Sequence, residues 1–470
     1  METSLSYPLL TRGPADIICI LDKSSPFYSQ ADHGKVTASG FWSLVVDTAS
    51  RLPNTTHCIN VCENRFAFLV SFCAVLLRHQ TNVFPPNVAE TTLTSLAEEY
   101  SGYVLSDETY GGLTDVHFNA DFFDQRPLYD VSHVAPDWEL QAQHIAAVCY
   151  TSGSTGAAKP IIKTWETFFQ SSQTNRNAYL HEVSTPINLL ATVASRHMWG
   201  FETTALLALH HEVTLSESHP MFPADIKAHL EKMPAPRVLV STPTHLKALN
   251  RASTQLPKIE RTLSATAPLQ TELAQAIESL TQGDVMEIYG CSEMGSMAWR
   301  IPTDDSHWTL FDGFSLETDG DTGETKASAN HIRGSTILGD VIECESDRHF
   351  FIRGRNEDLI NIAGKRGSLA ELNNLLSGCP GVVDGVIFDP AEDSRSERLG
   401  AFLVLGTATS KEAVIRYLRE HVDPVFIPRP IFTVDSLPRN ENGKLSSAAL
   451  RQRFNQRRLK AQSTPTTHND

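Results

Sequence analysis

Two patterns of apolar residues are found along the chain: helical spacing, and short continuous runs typical of strands. Gly40–Arg51 and Arg65–Arg78 have apolar residues at helical spacing, so we predict a helix in each segment. Short β-rich apolar runs, each followed by a small-residue or proline turn, lie at Ile145–Tyr150, Arg237–Val240 and Val285–Tyr289. Strands that alternate with helices in this way predict an α/β fold with largely parallel sheets.

Polar segments follow these three runs directly, at Thr151–Gly156, Ser241–Thr244 and Gly290–Glu293. Ligands of α/β sheets bind at the carboxyl ends of the strands. We therefore expect functional residues in these segments.

Length and charge predict more than one domain. A chain of 470 residues exceeds one ordinary core. The net charge is -16, yet residues 353–460 contain 17 Lys and Arg against 13 Asp and Glu. We predict a large N-terminal domain over 1–356, with mixed or parallel sheets flanked by helices, a small mobile α+β domain over 357–460 and a disordered tail over 461–470. Ordinary fluctuation of surface charge is the alternative explanation of the basic stretch.

Composition excludes several classes of protein. An acidic chain is a poor candidate for nucleic-acid binding. The longest apolar run, Phe66–Leu77, is too short to span a bilayer, and the first sixteen residues lack a signal-peptide pattern. Eight scattered cysteines show no metal or redox spacing, which predicts free thiols in a reducing compartment. We expect a cytoplasmic protein, monomeric or homodimeric, without membrane insertion.

The segment Tyr150–Pro160 has the chemistry of a phosphate-binding loop. Hydroxyls can donate to phosphate oxygens, glycines let backbone N–H groups turn toward an anion, and a lysine adds positive charge. It is not a Walker A loop, because Ala158 precedes Lys159 and Pro160 follows it. A flexible linker is the alternative, but linkers rarely follow an apolar strand directly. The anion-binding groups are Thr151, Ser152, Gly153, Ser154, Thr155, Gly156 and Lys159.

This loop resembles the signature loop of the adenylate-forming superfamily, which includes acyl- and aryl-CoA synthetases, peptide-synthetase adenylation domains and luciferases. Further segments resemble the family's motifs in the family's order. Three positions depart from the pattern: Ser292 and Leu338 replace Thr, and Glu357 replaces Asp. The matching segments are Ser195–Gly200, Ser264–Leu269, Tyr289–Glu293, Leu338–Asp340, Gly354–Asp358, Gly364–Glu371 and Leu437–Lys444.

The resemblance implies activation of a carboxylic acid by ATP and Mg²⁺. Lys444, Glu293 and Lys159 would be catalytic, and Glu293 with Thr155 would bind the magnesium ion. Besides the loop residues and Lys444, the implied ATP-binding residues are Ala265, Thr266, Ala267, Glu287, Ile288, Tyr289, Gly290, Ser292, Asp340, Ile352 and Arg355.

The resemblance also implies where the acid and the acceptor thiol bind. The acid pocket would be formed by His197, Ser264, Gly290, Met294 and Gly295. Glu357 would be the hinge of a moving small domain. A loop with Gly364 and Arg366 would then approach the acyl-adenylate, and a phosphopantetheine thiol of coenzyme A or an acyl carrier protein would accept the acyl group.

The substrate is predicted to be a small aromatic acid such as 3- or 4-hydroxybenzoate, because His197 and Met294 with their neighbours suggest a compact, flat pocket. An amino acid is less favoured, since only Glu202 near His197 could bind its ammonium group. The chain also resembles stand-alone ligases of aryl-polyene and xanthomonadin-type pigment pathways, which load an acyl carrier protein. A medium- or long-chain acyl-CoA synthetase, a catalytically silent nucleotide-binding homologue and an ATP-dependent kinase are the alternatives.

Overall fold

The fold is given by a computed structural model that describes the greater part of the chain. The described residues are 5–108, 110, 112–118, 128, 138–151, 159–252, 255–304, 307–320, 322–355, 359–362, 365–390, 398–407, 409–439, 445 and 447–462.

Twelve α-helices lie in the described residues. Side-chain caps fix several of their starts: the Asn64 side chain, for example, accepts hydrogen bonds from Phe66 N and Ala67 N at the start of the second helix. The helices are α1 Ala38–Arg51, α2 Arg65–Leu77, α3 Glu90–Tyr100, α4 Trp165–Tyr179, α5 Met198–Thr203, α6 Ala205–His210, α7 Pro223–Lys232, α8 Pro243–Arg251, α9 Thr271–Thr281, α10 Leu369–Gly378, α11 Lys411–His421 and α12 Ser447–Gln462.

Strands occupy the segments between these helices. They are β1 Ser6–Pro8, β2 Ile17–Ile20, β3 Lys35–Thr37, β4 His57–Asn60, β5 Thr81–Phe84, β6 Tyr103–Ser106, β7 Val116–His117, β8 Glu139–Gln141, β9 Ile145–Thr151, β10 Lys159–Thr164, β11 Ile187–Ala191, β12 Val213–Ser216, β13 Arg237–Ser241, β14 Arg261–Ser264, β15 Asp284–Cys291, β16 Gly295–Arg300, β17 Trp308–Leu310, β18 Phe314–Thr318, β19 Thr325–Ala329, β20 Ile332–Ile337, β21 Asp340–Cys344, β22 His349–Arg355, β23 Leu359–Ile362, β24 Lys365–Ser368, β25 Val382–Phe388, β26 Gly400–Leu405 and β27 Ile431–Thr433.

The chain divides into two compact units. Among the described residues, the first unit consists of those up to Ser315 together with Ser328–Thr336, and the second consists of those in Leu316–Ala327 and from Ile337 onward. The domain boundary predicted at 356/357 concerns a hinge whose residue, Glu357, lies outside the described residues, so it stays a prediction. Helix α12 ends at Gln462, two residues into the segment predicted to be disordered.

The first unit contains two larger sheets. One has the order β10-β9-β5-β4-β6-β7 and is parallel except for the edge pair β10–β9. The other runs β17-β16-β15-β14-β13-β11-β12-β2-β3 and is parallel from β15 to β2. The predicted α/β class with largely parallel sheets is confirmed, as are the three predicted strands and the two predicted helices.

Helix α2 shows why its sequence is apolar all round. Every residue from Arg65 to Leu76 is buried, and a helix buried on all sides needs no polar face. The run that was too short to span a bilayer is therefore a core helix. In the described part of the chain, every helix is too short or too polar to cross a membrane.

The second unit has a smaller α+β core. Strands β25 and β26 are antiparallel, and β27 joins β26 in parallel. Leu372 and Leu376 of α10 and Val414 and Leu418 of α11 pack in one buried cluster. Phe454 of α12 packs in a second cluster with Phe388 and Phe402. The eight cysteines are free thiols, as predicted.

Candidate active site

The motif Tyr289–Glu293 lies at the end of the antiparallel hairpin β15–β16. Cys291 pairs with Gly295, so the turn between the strands consists of only three residues. Glu293 is exposed in this turn, whereas Met294 is buried beside it. The hairpin therefore presents one carboxylate to solvent on a short, anchored turn.

Two glycines of this hairpin permit a close approach that other residues would prevent. A Cβ atom on Gly290 would lie 2.1 Å from the carbonyl oxygen of Gly295. Gly295 has φ +74°, and a Cβ atom there would lie 2.2 Å from Oε1 of Glu202. Gly290 is thus required by packing within the hairpin, and Gly295 by its positive φ and by the approach of Glu202 from α5.

Glu202 of α5 binds Ser296, the second residue of β16, next to the turn of the hairpin. Its Oε2 accepts hydrogen bonds from the backbone N–H and the hydroxyl of Ser296, both at 3.0 Å. Burial raises the pKa of the Glu202 carboxyl. Lys163 and the hydrogen bonds from Ser296 oppose this rise. Glu202, the carboxylate near His197 that could bind a substrate ammonium group, is therefore engaged with Ser296.

Lys163 of β10 binds the tip of the same hairpin. Its Nζ donates to the carbonyl oxygen of Glu293 at 2.6 Å, and the side chain is buried. Sequence reasoning missed Lys163, because a lysine near the end of a strand has the pattern of a solvated residue. A cavity of about 530 Å³ lies beside Lys163 and Glu293 and is also lined by His331 and Arg333.

The segment with His197 is shaped by a buried arginine. Arg65 donates to the carbonyl oxygens of Ala191 and Val193 and to the Ser195 hydroxyl. Burial lowers the pKa of Arg65 to about 10. A Cβ atom on Gly200 would lie 2.0 Å from the Ala194 carbonyl oxygen, which explains the glycine of this motif. His197 precedes α5 at its N-cap position.

The predicted turn after β14 contains an unusual backbone position and an unpaired hydroxyl. Thr266 has φ +79°, a conformation uncommon outside glycine. The Ser264 hydroxyl is buried and has no hydrogen-bond partner among the described residues. Such a group favours a site where a ligand completes the hydrogen bonding.

Glu287 and Tyr289 of β15 have protein partners of their own. The Glu287 carboxylate is buried, binds Arg300 at 2.6 Å and accepts a hydrogen bond from Leu269 N at 2.8 Å. Burial raises the pKa of Glu287, opposed by Arg300. The Tyr289 ring lies 5.6 Å from the Trp308 ring. Ile288 is buried between them in the strand. A part in ATP binding stays a prediction for all three.

The predicted phosphate-binding loop lies between the antiparallel strands β9 and β10. Thr151 and Lys159 are paired across the hairpin, and Lys159 is exposed. Ser152, Gly153, Ser154, Thr155 and Gly156 lie outside the described residues, so their predicted phosphate contacts stay predictions. Ala265 and Ala267 flank Thr266 in the first unit.

Two predicted nucleotide-binding residues are direct neighbours in the second unit. Asp340 and Arg355 are cross-strand partners of the antiparallel pair β21–β22, and Ile352 pairs with Ile342 in the same ribbon. The ribbon therefore brings together residues that are fifteen positions apart in the sequence.

The remaining predicted residues lie at or beyond the edge of the described chain. Arg366 of β24 pairs with Asn361, whereas Glu357, Gly364 and Lys444 lie outside the described residues. The segment with Lys444 is flanked by Arg439 and Leu445, which form an isolated antiparallel bridge. Asp384 binds Arg439 with both carboxylate oxygens, at 3.0 and 2.7 Å.

Comparison with known proteins identifies the class of this site. The family model for the AMP-binding enzyme matches residues 10–316, and that for the AMP-binding enzyme C-terminal domain matches 371–444. The chain has the fold of the adenylate-forming enzymes and is an AMP-forming acid–thiol ligase. It belongs to the AMP-binding enzyme family.

Curated relatives are similar over different shares of the chain. A 4-coumarate–CoA ligase of Halorhodospira halophila is 26% identical over 68% of this chain and 79% of that protein. The fatty acid–[acyl-carrier-protein] ligase ScoC of Streptomyces coeruleorubidus is 22% identical over 94% of this chain and 87% of that protein. An acetyl-coenzyme A synthetase of Penicillium chrysogenum matches over only 19% of its own length.

Solved structures share the fold. The o-succinylbenzoate-CoA synthetase of Bacillus subtilis in complex with ATP and magnesium ion has a TM-score of 0.76 at 18% identity, covering 94% of this chain and 99% of that chain. ATP-bound MatB of Rhodopseudomonas palustris has a TM-score of 0.72 at 19% identity, covering 94% and 96%.

Proposed function

We propose that this protein converts a small aromatic acid such as 3- or 4-hydroxybenzoate to its acyl-adenylate and then transfers the acyl group to a phosphopantetheine thiol. The observation that carries the proposal is the hairpin β15–β16: it presents the exposed Glu293 carboxylate on a short turn, which the buried side chains of Lys163 and Glu202 anchor at Glu293 and at Ser296. The resemblance to the family implies that the residue at this position binds the magnesium ion of the nucleotide.

Glu293 suits a magnesium ion by its chemistry. Mg²⁺ prefers hard oxygen donors and is commonly held by one or two carboxylates together with substrate phosphates. No three His, Cys, Asp or Glu side chains of the described residues gather into a metal cluster, so phosphate oxygens would complete the coordination. The ion would supply charge neutralisation of the triphosphate.

The chain's own residues would align the reactants in the first half-reaction. A carboxylate oxygen of the acid attacks the α-phosphorus of ATP, and the bond to pyrophosphate breaks. Because both reactants are anions, a positioned cation is needed, and we assign this role to Lys444 with Lys159 near the leaving phosphates. In the second half-reaction a thiol attacks the acyl carbonyl and AMP leaves, with Gly364 and Arg366 at the approach.

An aromatic acid with a polar substituent fits the described surroundings of the His197 motif. Trp199, two residues after His197, has a buried indole N–H with no hydrogen-bond partner among the described residues. The Tyr179 ring lies edge-on to Trp199 at 6.3 Å and to Phe311 at 5.7 Å. A hydroxyl on the substrate could accept from Trp199, and aromatic walls suit a flat ring. The similarity to a 4-coumarate–CoA ligase supports the same choice.

An acyl carrier protein is our preferred acceptor, with coenzyme A as the second candidate. The similarity to ScoC, a ligase named for its carrier protein, extends over most of this chain. Residues 353–460 are basic while the whole chain is acidic, and such a surface complements an acidic carrier. Because the fatty acid in the name of ScoC favours a different substrate, an aliphatic acid is the second candidate for activation.

Acid-dependent pyrophosphate release tests the proposal. The panel contains 3- and 4-hydroxybenzoate, benzoate, a medium-chain and a long-chain fatty acid, and an amino acid, each with MgATP. We expect release with the hydroxybenzoates and AMP as the nucleotide product. ADP would indicate a kinase, preference for the fatty acids would indicate an aliphatic ligase, and silence with every acid would indicate a nucleotide-binding homologue without this activity.

A further inference from the structure

Lys163 is a buried cation for which the motifs of the family give no role. Its side chain is 2% exposed, and lysine is almost never fully buried unless it is paired. The Nζ atom donates to the main-chain carbonyl oxygen of Glu293 at 2.6 Å. Burying an ammonium group is costly, so the contact it makes requires an explanation.

Several charged and titratable groups lie around Lys163. Burial raises the pKa of the Glu202 carboxyl, and the nearby Lys163 opposes this rise. Burial and Lys163 lower the pKa of His331 to about 4, so this imidazole is neutral near pH 7. Burial raises the pKa of the Cys149 and Cys291 thiols, which are neutral as well. Lys163 therefore lies close to the Glu202 carboxyl and binds the Glu293 carbonyl, and the side chains of Glu166 and Arg333 line the same cavity.

The contact joins two elements that belong to different sheets. Lys163 lies on β10, the strand that begins at Lys159 directly after the phosphate loop. Glu293 lies in the turn between β15 and β16 of the other large sheet. The lysine thus fixes the turn against β10, while Glu202 binds Ser296 next to the turn in the same hairpin.

We propose that Lys163 is a positioning residue for the metal site: it holds the main chain of Glu293 so that the carboxylate is directed at the magnesium ion of MgATP. This inference rests on the proposed function and extends it to a residue outside the family's motifs. A second anchor on a three-residue turn restricts the direction of the exposed side chain, which lowers the reorganisation needed on metal binding.

The test measures how much Mg²⁺ strengthens ATP binding, without the need for turnover. ATP binding to the full chain is measured by calorimetry in excess Mg²⁺ and in EDTA, for the wild type and for Lys163→Met. We expect the Mg²⁺-dependent gain in affinity to fall by about 10–100-fold in the variant, the range for residues that orient metal ligands. Affinity in EDTA should change less than about twofold. Lys163→Arg, which keeps the charge, should restore part of the gain.

Arg12→Met is the matched control. Arg12 is also a buried cation that binds main-chain carbonyl oxygens, those of Ala208, Val213 and Ile17. Strand β12, which contains Val213, is four strands from β15 in the sheet, about 19 Å at ordinary strand spacing. Arg12→Met should reduce thermal stability without changing the Mg²⁺-dependent gain in ATP affinity.

Two results separate this inference from the proposed function. If the wild type releases pyrophosphate with an acid and Lys163→Met keeps the full Mg²⁺-dependent gain, the role of Lys163 is wrong and the function stands. If Lys163→Met and Arg12→Met lose the gain equally, the effect is one of stability and the positioning role is also wrong. A wild type that binds ATP equally with and without Mg²⁺ contradicts both proposals. If Lys163→Met does not fold, Lys163→Gln replaces it in the same comparison.

Discussion

The two units of this protein differ in the burial of the charged side chains near their candidate site residues. In the first unit, Arg65, Lys163 and Glu202 are buried and bind backbone groups or the Ser296 hydroxyl. In the second unit, Arg439 pairs with Asp384 and Lys365 with Asp423 at half-exposed or exposed positions. A buried charge fixes one geometry because its loss leaves polar groups unsatisfied, whereas an exposed pair can break and re-form at small cost.

The largest expected effect concerns the catalytic role that we propose for Lys444 of the second unit. Lys444→Ala should lower the rate of acyl-adenylate formation by about 10²–10³-fold, because a positioned cation stabilises charge in the transition state. Transfer from a supplied acyl-adenylate to the thiol should persist, which single-turnover measurements of each half-reaction would reveal. An equal collapse of both half-reactions would mean that Lys444 does not act in adenylation specifically.

The next effect tests whether buried cations of the first unit hold its backbone. Arg65→Met should lower the free energy of unfolding by about 2–4 kcal/mol, because it leaves the buried carbonyl oxygens of Ala191 and Val193 without their donor. Urea unfolding measures the change. Arg78→Met, at the exposed end of the same helix, should change it by less than about 0.5 kcal/mol. Equal effects of the two variants would remove the distinction between the units.

A third test concerns a group that the first unit keeps uncharged. Burial, with nearby His211, lowers the pKa of His210 to about 3, whereas an unfolded histidine titrates near about 6.5. Between these values the unfolded chain binds more protons, so stability falls as the pH drops. His210→Phe, which keeps ring packing on Trp165 and Phe169, should flatten this dependence by up to about 1.4 kcal/mol per pH unit. Urea unfolding at pH 7, 6 and 5 measures it; parallel curves would contradict the expectation.

The smallest effect tests the half-exposed pair of the second unit. Asp384→Asn removes the charge that binds Arg439 and should cost about 1 kcal/mol or less in stability. The difference from the wild type should shrink further in 0.5 M salt, because exposed pairs are screened. A loss of several kcal/mol that does not depend on salt would place this pair in the same class as Arg65.

Much of the fold follows from short-range pattern. The spacing of apolar residues and the position of turn residues are local properties of the sequence. They suffice to predict the strand at 145–150, the helix at 65–78 and, from the alternation of strands and helices, the parallel sheets. The motif residues of the site could be named because their order resembles that of a family. Structure then added the reason for some of them: Gly200 and Gly290 are glycines because a backbone carbonyl lies within 2.1 Å of where a Cβ atom would be.

Other contacts could not be inferred from the sequence. Lys163 and Glu293 are 130 positions apart, and Arg65 and Ser195 are equally distant. Nothing in the local pattern distinguishes a lysine that points to a buried carbonyl from one in water. Glu287 illustrates the same difficulty, since its neighbours in the motif suggest the nucleotide while its carboxylate binds Arg300. Such roles depend on tertiary partners, which a single sequence does not specify.

The packing of Gly295 against Glu202 has a consequence for the redesign of this enzyme. Any side chain at 295 would have to occupy the space of the Glu202 carboxylate, which itself completes the hydrogen bonds of Ser296. Because Gly295 also has φ +74°, a conformation that favours glycine, positions 295 and 202 are best varied together in a library of variants.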